Sequence, residues 1–435
     1  MERKVLIITY YWPPAGGPGV QRWLKFVKYL PKNNIEPILF IPKNPNYPTY
    51  DYSLNDEVSD QLKIIRHPIT EISNFFPKYK SINSIRSGNI SKPSKQSLFE
   101  KLLFFIRGNF VIPDMKVFWR NSSVKFLEKY LIENDIDTII TTGPPHSLHL
   151  IGLDLKNKIN IKWIADFRDP WVNLNYLNRF HLFSSVRNFH KKLRNNVLNG
   201  ADAVTVTSEK LKVLFDSISK DNFKISNGFD YNNSGRVLDV KFTISHIGSI
   251  YPDRNPELLW QVLEKLCLDI KDFKKDLKLN FIGNVDDKFK SYVKDQYIFD
   301  NVTYFGYLEN FKALNYLCSS QLLLMIEVDD NESSYAIPAK FFDYINSNRP
   351  IISFGPINSE ISKILMDTNT GKSFAYNEFE NVYNYILEIY SKYKNESNII
   401  FSKGVEEYSR EKLTKELSNI IDSVNKKKPY NFKKI

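Results

Sequence analysis

Apolar residues along the chain fall into two recurring patterns. Short, β-branched runs at 5–11, 35–41, 138–142 and 163–165 read as buried strands, while Val20, Trp23, Leu24, Val27 and Leu30 repeat at helical spacing. The same alternation continues with helices at 124–132 and 147–155, a strand at 203–206, a helix from Ser208 and a strand at 223–225. A polar stretch at 231–241 then reads as a linker. Beyond it, strands are predicted at 242–247, 277–282, 302–305, 322–326 and 351–354, with helices at 256–268, 309–317 and 338–346 between them and final helices at 378–393 and 405–421. Strand–helix alternation of this kind implies a parallel, doubly wound sheet. The expected fold class is therefore α/β, with two Rossmann-like doubly wound domains, 1–235 and 236–410, facing a cleft. The remaining 411–435 are expected to form a helix and basic tail packing back on the first domain.

One region departs from the pattern. From about 42 to 118 the chain is polar, Pro-rich and aromatic, most loop-like at 81–97, and reads as an insertion. Its apolar pieces, Phe75-Phe76 and 102–106, are flanked by Lys and Arg. They read either as buried helices or as a seat for a hydrophobic acceptor or a lipid headgroup layer.

Charge and composition narrow the function classes. The 435 residues carry a formal charge of +11. Zinc-finger spacing, a basic heptad region and an RNA-binding aromatic signature are all missing from the sequence, so no nucleic-acid partner is expected. The excess Lys suits either an anionic membrane surface or plain solvation. No apolar run reaches the roughly 18 residues of a membrane span, and the first apolar segment reads as a strand rather than a signal peptide. Cys267 and Cys318 sit inside apolar helical patterns, which supports neither a disulfide framework nor a thiolate metal site and makes a reducing cytoplasm the default.

Candidate chemistry gathers just past predicted strand ends, where open parallel sheets bind ligands. Gly16, Gly17 and Gly19 follow the first strand in a Pro/Gly-rich loop that matches neither the dinucleotide fingerprint nor the P-loop. A tight strand-to-helix turn would use the same residues. Gly143 to His146 follow another strand, and Asp166, Arg168 and Asp169 beside Trp171 follow a third. That charged cluster reads as an acceptor site or as an ion network fixing its loop. His146 and His149 stand three apart, but with no suitable third ligand nearby no metal is expected. In the second half, Ile337, Pro338, Ala339 and Lys340 open a helix whose first-turn amides can hold an anion, with Asp343 on the same side. This arrangement suits a nucleotide, although a surface ion pair on an amphipathic helix has the same spacing.

Taken together, the stretches YYWPPAGGPGVQR, TTGPPHSLH, WIADFRDPW, ADAVTVTSE, ISNGFD, HIGSIYPDRNPELL, LNFIGNV, VTYFGYL and IPAKFFDYINSNRPII resemble the retaining glycosyltransferase family 4, over nearly the whole chain. The resemblance implies the two-domain GT-B fold and transfer of a sugar from a nucleotide-sugar donor, held mainly by the second domain, to an acceptor held mainly by the first. It implies a donor diphosphate near Gly16 and Gly17, with Arg254 and Lys340 supplying positive charge and Asp343 at the ribose; Ser249, Ile337, Pro338 and Ala339 are further expected donor contacts, and Asp166, Arg168 and Asp169 the expected acceptor contacts. His146, Arg254 and Lys340 are the implied catalytic groups, without metal or other cofactor. The sequence departs from the family at Tyr335, Ser249 and Asn255, where Glu, Arg and Lys are usual; Glu332 is close to Tyr335 but out of register. Asp343 stands where a Glu usually grips the ribose. The implied function is a retaining transferase of cell-surface polysaccharide or glycolipid assembly, with a glycan or lipid-linked acceptor, at the cytoplasmic membrane face. The alternatives are a non-catalytic nucleotide-sugar-binding scaffold subunit and a nucleotide-sugar epimerase on the same fold.

Overall fold

The computed structural model describes residues 2–71, 98–172, 177, 180–219, 221–230, 237–250, 254–327, 335, 337–395 and 402–426. The loop at 81–97, the Phe75-Phe76 pair, Glu332 and the tail beyond Lys426 lie outside these, as does most of the predicted linker. The chain divides into two compact units, Met1–Asn227 with Arg410–Ile435, and Gly228–Ser409.

In the first unit, β1 (Arg3–Ile8), β2 (Ile35–Lys43), β3 (Lys63–Pro68), β4 (Thr138–Gly143), β5 (Lys162–Phe167), β6 (Ala203–Val206) and β7 (Asn222–Lys224) form one parallel sheet in the order β3-β2-β1-β4-β5-β6-β7. Helices α1 (Pro18–Tyr29), α2 (Leu98–Phe110), α3 (Arg120–Glu133), α4 (Ser147–Lys158), α5 (Ser184–Gly200) and α6 (Glu209–Asp216) lie between the strands in sequence. The region read as an unpatterned insertion contributes β3, which pairs with β2, and α2. β3 escaped the pattern because an edge strand reading KIIRHP carries no continuous apolar run.

The second unit repeats the plan with β8 (Phe242–Ile247), β9 (Leu277–Ile282), β10 (Val302–Gly306), β11 (Leu322–Ile326), β12 (Ile351–Phe354) and β13 (Gly371–Phe374), in the order β10-β9-β8-β11-β12-β13. Its longer helices are α7 (Glu257–Asp269), α8 (Asp287–Lys294), α9 (Asn310–Ser319), α10 (Ala339–Asn346), α11 (Glu360–Thr368) and α12 (Phe379–Lys394). Strand alternation divides the core: Leu322, Leu324 and Ile326 join one apolar cluster with α7 and α12, while Leu323 and Met325 join another with α10 and α11. In both sheets the strand order reverses beside the first strand, between β1 and β4 and between β8 and β11. Crevices at such reversals are where open α/β sheets bind ligands.

After the second unit the chain re-enters the first as α13 (Arg410–Lys426). Leu413, Leu417, Ile420, Ile421 and Val424 are buried in the first unit's core, and Arg3 pairs with Asp422. No helix among the described residues is long and apolar enough to cross a membrane, and both cysteines are free.

A buried ion pair fixes the carboxyl edge of the first sheet. Asp166, at the end of β5, receives Arg22 Nη2 at 2.8 Å, Trp23 Nε1 at 3.0 Å, and the hydroxyls of Thr142 and Thr205 at 2.8 Å each. The Arg22 and Asp166 side chains are only 2% and 1% exposed. Burial alone would raise the Asp166 pKa, but the Arg22 charge and these hydrogen bonds hold it below the usual carboxylate range. Removing one partner leaves an uncompensated interior charge, so Asp166→Ala should cost about 3–5 kcal/mol, and replacing both partners with apolar residues should cost much less. Five of the six tryptophans lie in this unit, so tryptophan fluorescence during urea unfolding reads the effect there. A single-mutant loss below about 1 kcal/mol would contradict this role for the pair.

Candidate functional site

At the reversal in the first sheet, residues following β1, β4 and β5 come together. Gly17, with φ 103°, precedes α1, and a Cβ on Gly19 would strike the Arg168 guanidinium. Glycine there permits contact between the helix start and the arginine. Arg168 donates to the Pro144 carbonyl, and burial lowers its pKa despite the neighbouring Asp166 and Asp169. His146, next to α4, bonds through Nε2 to Asp169 Oδ1 at 2.7 Å and stacks on Trp171 with ring centroids 4.6 Å apart. Burial raises Asp169, but His146 and the Trp171 amide more than offset it, so its carboxyl lies below the ordinary range. Trp171 adopts φ 64°, a left-handed backbone that a bulky side chain seldom takes. It is held there by the His146 stack and by its Nε1–H, which donates to His190 Nδ1 at 3.2 Å. Strain held in this way is characteristic of functional loops.

The sequence placed three charged residues together as acceptor contacts, and the structure distinguishes among them. Asp166 lies inside β5, 1% exposed and saturated with donors, which leaves it no face for a ligand. It is the ion-network alternative that describes Asp166. Arg168 and Asp169 stand on the rim beyond the strand. His149 is interior, stacked on Phe167 at 4.3 Å and bonded through Nδ1 to Thr141. No group of three or more His, Cys, Asp or Glu able to hold a metal occurs among the described residues.

At the second reversal, Gly248 and Gly283 follow β8 and β9 with φ 134° and 125°. A Cβ on Gly283 would meet the Gly248 carbonyl oxygen at 2.5 Å, and one on Gly248 would strike Lys340 Nζ. Glycine at 248 thus leaves the space that the Lys340 side chain occupies, and glycine at 283 lets the two strand ends approach closely. Pro338 caps α10 rather than opening it, so the helix starts one position later than the 338–346 expected from the sequence. Ile337 is buried beneath this start, while Ala339 and Lys340 are the first two helical residues. Tyr344, fully buried, accepts the Ile247 amide at 2.7 Å and thereby locks α10 to the end of β8.

Electrostatics at this rim favour an anion. Lys340 Nζ donates to His246 Nε2 at 3.2 Å, and His246 Nδ1–H donates to the Leu324 carbonyl at 2.9 Å, which fixes a neutral tautomer. Burial, with the Lys340 charge adding to it, holds the imidazole well below its usual range. Burial also pushes Lys340 down to about 7, and the like charge of Arg254 contributes. Two cations close enough to repel are stabilised when an anion binds between them. Ser249 is half-buried beside Gly248. Asn255 accepts the Trp260 indole N–H at 2.8 Å, so it anchors α7. Asp343 and Tyr335 are half-buried.

No protein-family model matches the sequence, and no curated protein matches it. Among solved structures the chain is similar to sucrose-phosphate synthase from Thermosynechococcus elongatus, with 14% identity, a TM-score of 0.61, and 97% of this chain and 99% of that one covered. It is also similar to HepE of Anabaena in complex with UDP and glucose, at 11% identity and TM-score 0.54 over 97% of this chain and 100% of that one. A third similarity is to the lipopolysaccharide outer core galactosyltransferase WaaB, at 12% identity and TM-score 0.55 over 97% and 99%. The chain has the GT-B fold. In each of its Rossmann-like units the GT-B sheet carries the candidate residues at its strand reversal.

Two buried titratable groups of the second unit are not marked as such by the sequence. His246 lies in HIGSIYPDRNPELL, where nothing in the pattern signals its burial. Glu327 follows β11 directly, which was the available signal. Burial pushes its carboxyl up to about 7 against the Ser359 and Ser353 hydroxyls, which donate at 3.0 and 3.3 Å. A raised carboxyl pKa means the folded state binds more protons than the unfolded chain between about pH 4.5 and 7, so this group's stabilisation is full below that window and is lost as pH rises through it. Glu327→Gln should therefore gain stability over the parent at pH 8, by up to about 3 kcal/mol, and gain little at pH 4.5. Thermal melts at the two pH values check this, and an equal gain at both would refute it.

Proposed function

We propose that this protein transfers a sugar from a nucleotide-sugar donor to a glycan or lipid-linked acceptor of cell-surface polysaccharide assembly, with retention of anomeric configuration. The observation that carries the reading is the Lys340–Arg254 pair beside the start of α10, with Lys340 driven down to about 7. Similarity to a UDP- and glucose-bound neighbour and to a lipopolysaccharide galactosyltransferase supports the donor and acceptor classes.

In this reading the second unit holds the donor. Lys340, Arg254 and the amides of Ala339 and Lys340 engage its diphosphate, Ser249 lies beside it, and Asp343 takes the ribose hydroxyls. Negative charge grows on the diphosphate as the glycosidic bond opens, so these groups bind the transition state more tightly than the ground state. The departing phosphate accepts the acceptor's proton on the same face, which requires no enzyme nucleophile. On the first unit, Arg168 and Asp169 contact the acceptor, and His146 is oriented by Asp169 and Trp171 to hydrogen-bond a sugar hydroxyl.

Nucleotide release from a panel of donors is the direct test. Lys340→Ala and Arg254→Ala should each lower turnover by about a hundredfold or more, with little change in melting temperature. Wild-type turnover in both variants would remove them from the mechanism, binding without release would favour a scaffold subunit, and donor isomerisation would favour an epimerase. Proton linkage supplies a separate check. Lys340 is mostly deprotonated near pH 8, so binding of UDP or GDP there should take up protons, and affinity should fall as pH rises through and above about 7. Calorimetry in buffers of different ionisation enthalpy reads this uptake, which should vanish in Lys340→Met.

A further inference from the structure

Helix α2 is apolar on two sides, and only one of them is covered. Phe104, 5% exposed, packs on Phe180 with ring centroids 5.8 Å apart, and Phe105 meets Phe183 edge-on at 5.2 Å. Asn109 Oδ1 accepts the Phe183 amide at 2.8 Å, and a Cβ on Gly108 would come within 2.5 Å of Phe180 Cβ. These contacts seat the helix on the segment leading into α5. The opposite stripe, Leu102, Ile106 and Phe110, follows i, i+4, i+8 spacing and is 54%, 43% and 71% exposed. Phe183, 52% exposed, extends the apolar surface to the start of α5, and Phe189, one and a half turns along that helix, is 46% exposed.

Charge decides what such a surface fits. Between Asp169 and Asp202 the sequence holds no acidic residue and five basic ones, Arg179, Arg187, Lys191, Lys192 and Arg194. Lys191 and Lys192 are exposed on α5, and Lys101 is exposed beside Leu102. A protein partner with an apolar face would not call for this one-sided charge, whereas exposed Leu, Ile and Phe bordered by Lys match an interfacial site on anionic lipid. We propose that α2 and the start of α5 form a docking face for an anionic membrane surface, with Leu102, Ile106 and Phe110 entering the headgroup layer and Lys101, Lys191 and Lys192 meeting its charge. Lipid docking requires nothing of the transfer reaction, so the two readings stand or fall separately.

Sedimentation of the full chain with vesicles tests the proposal, using phosphatidylcholine alone and phosphatidylcholine with about one-third phosphatidylglycerol. The protein should bind the anionic vesicles more tightly than the neutral ones, by tenfold or more at low salt, and the preference should shrink as salt rises. Ile106→Glu with Phe110→Glu, and separately Lys191→Glu with Lys192→Glu, should each weaken binding roughly tenfold or more. All four side chains are exposed, and an unchanged melting temperature confirms that the variants fold. Equal affinity for the two vesicles, or unaltered binding by both double variants, would overturn the assignment. So would self-association of the parent that the Ile106/Phe110 pair abolishes while vesicle binding is absent, since the face would then belong to a second copy of the chain.

Discussion

The first unit depends on one carboxylate placed where several chain segments end together. Parallel strands all present their carboxyl ends to one edge, and Asp166 gathers donors there from α1, β4 and β6. Its charge is tolerable inside the protein because Arg22 neutralises it and four neighbours supply hydrogen bonds. With the end of β5 fixed in this way, the next turn of chain has a defined starting point. Arg168 then reaches Pro144, and Asp169 reaches His146. The rim's geometry is thus set by a group with almost no exposed surface of its own.

The second unit reaches the same topology by different means. A phenol and an imidazole do the fastening: Tyr344 bonds to Ile247, and His246 bonds to Leu324. Neither group is charged, so the positive charge at this rim comes from Lys340 and Arg254. The two glycines at the ends of β8 and β9 make the arrangement sterically feasible. An interior salt bridge like that of Asp166 would have satisfied the cation permanently. A neutral imidazole leaves the lysine able to donate to a phosphate oxygen instead.

How much of this could be read from the sequence follows from the physics of burial. Strands β8, β9, β11 and β12 were placed to the residue because central parallel strands, covered on both faces, must be continuous apolar runs. The edge strands β3 and β13 were missed, since KIIRHP and GKSF carry polar side chains on partly open faces. In the site, the Lys340 helix is legible from its proline and from Lys340 and Asp343 set three apart against an apolar face, although Pro338 is the cap. Asp166 misled because a charged residue near a strand end looks the same in sequence whether its partners are a ligand or the interior. Only the approach of Arg22, some 140 positions away, distinguishes the two. Glu327 and His246 were illegible as titrating groups for the same reason: desolvation is a property of the fold.

Helix α13 has a bearing on how the polypeptide is made. Its apolar face completes the first unit's core, yet it is encoded after the entire second unit. A ribosome adding about 5–20 residues per second therefore needs on the order of ten seconds or more between releasing α1 and releasing the helix that covers it. During that interval the nascent first unit exposes the surface later occupied by Leu413, Leu417 and Ile421, and the second unit can mature ahead of it. Loss of the segment encoding α13 would accordingly damage the unit built from residues 1–227 rather than the unit encoded just before the break.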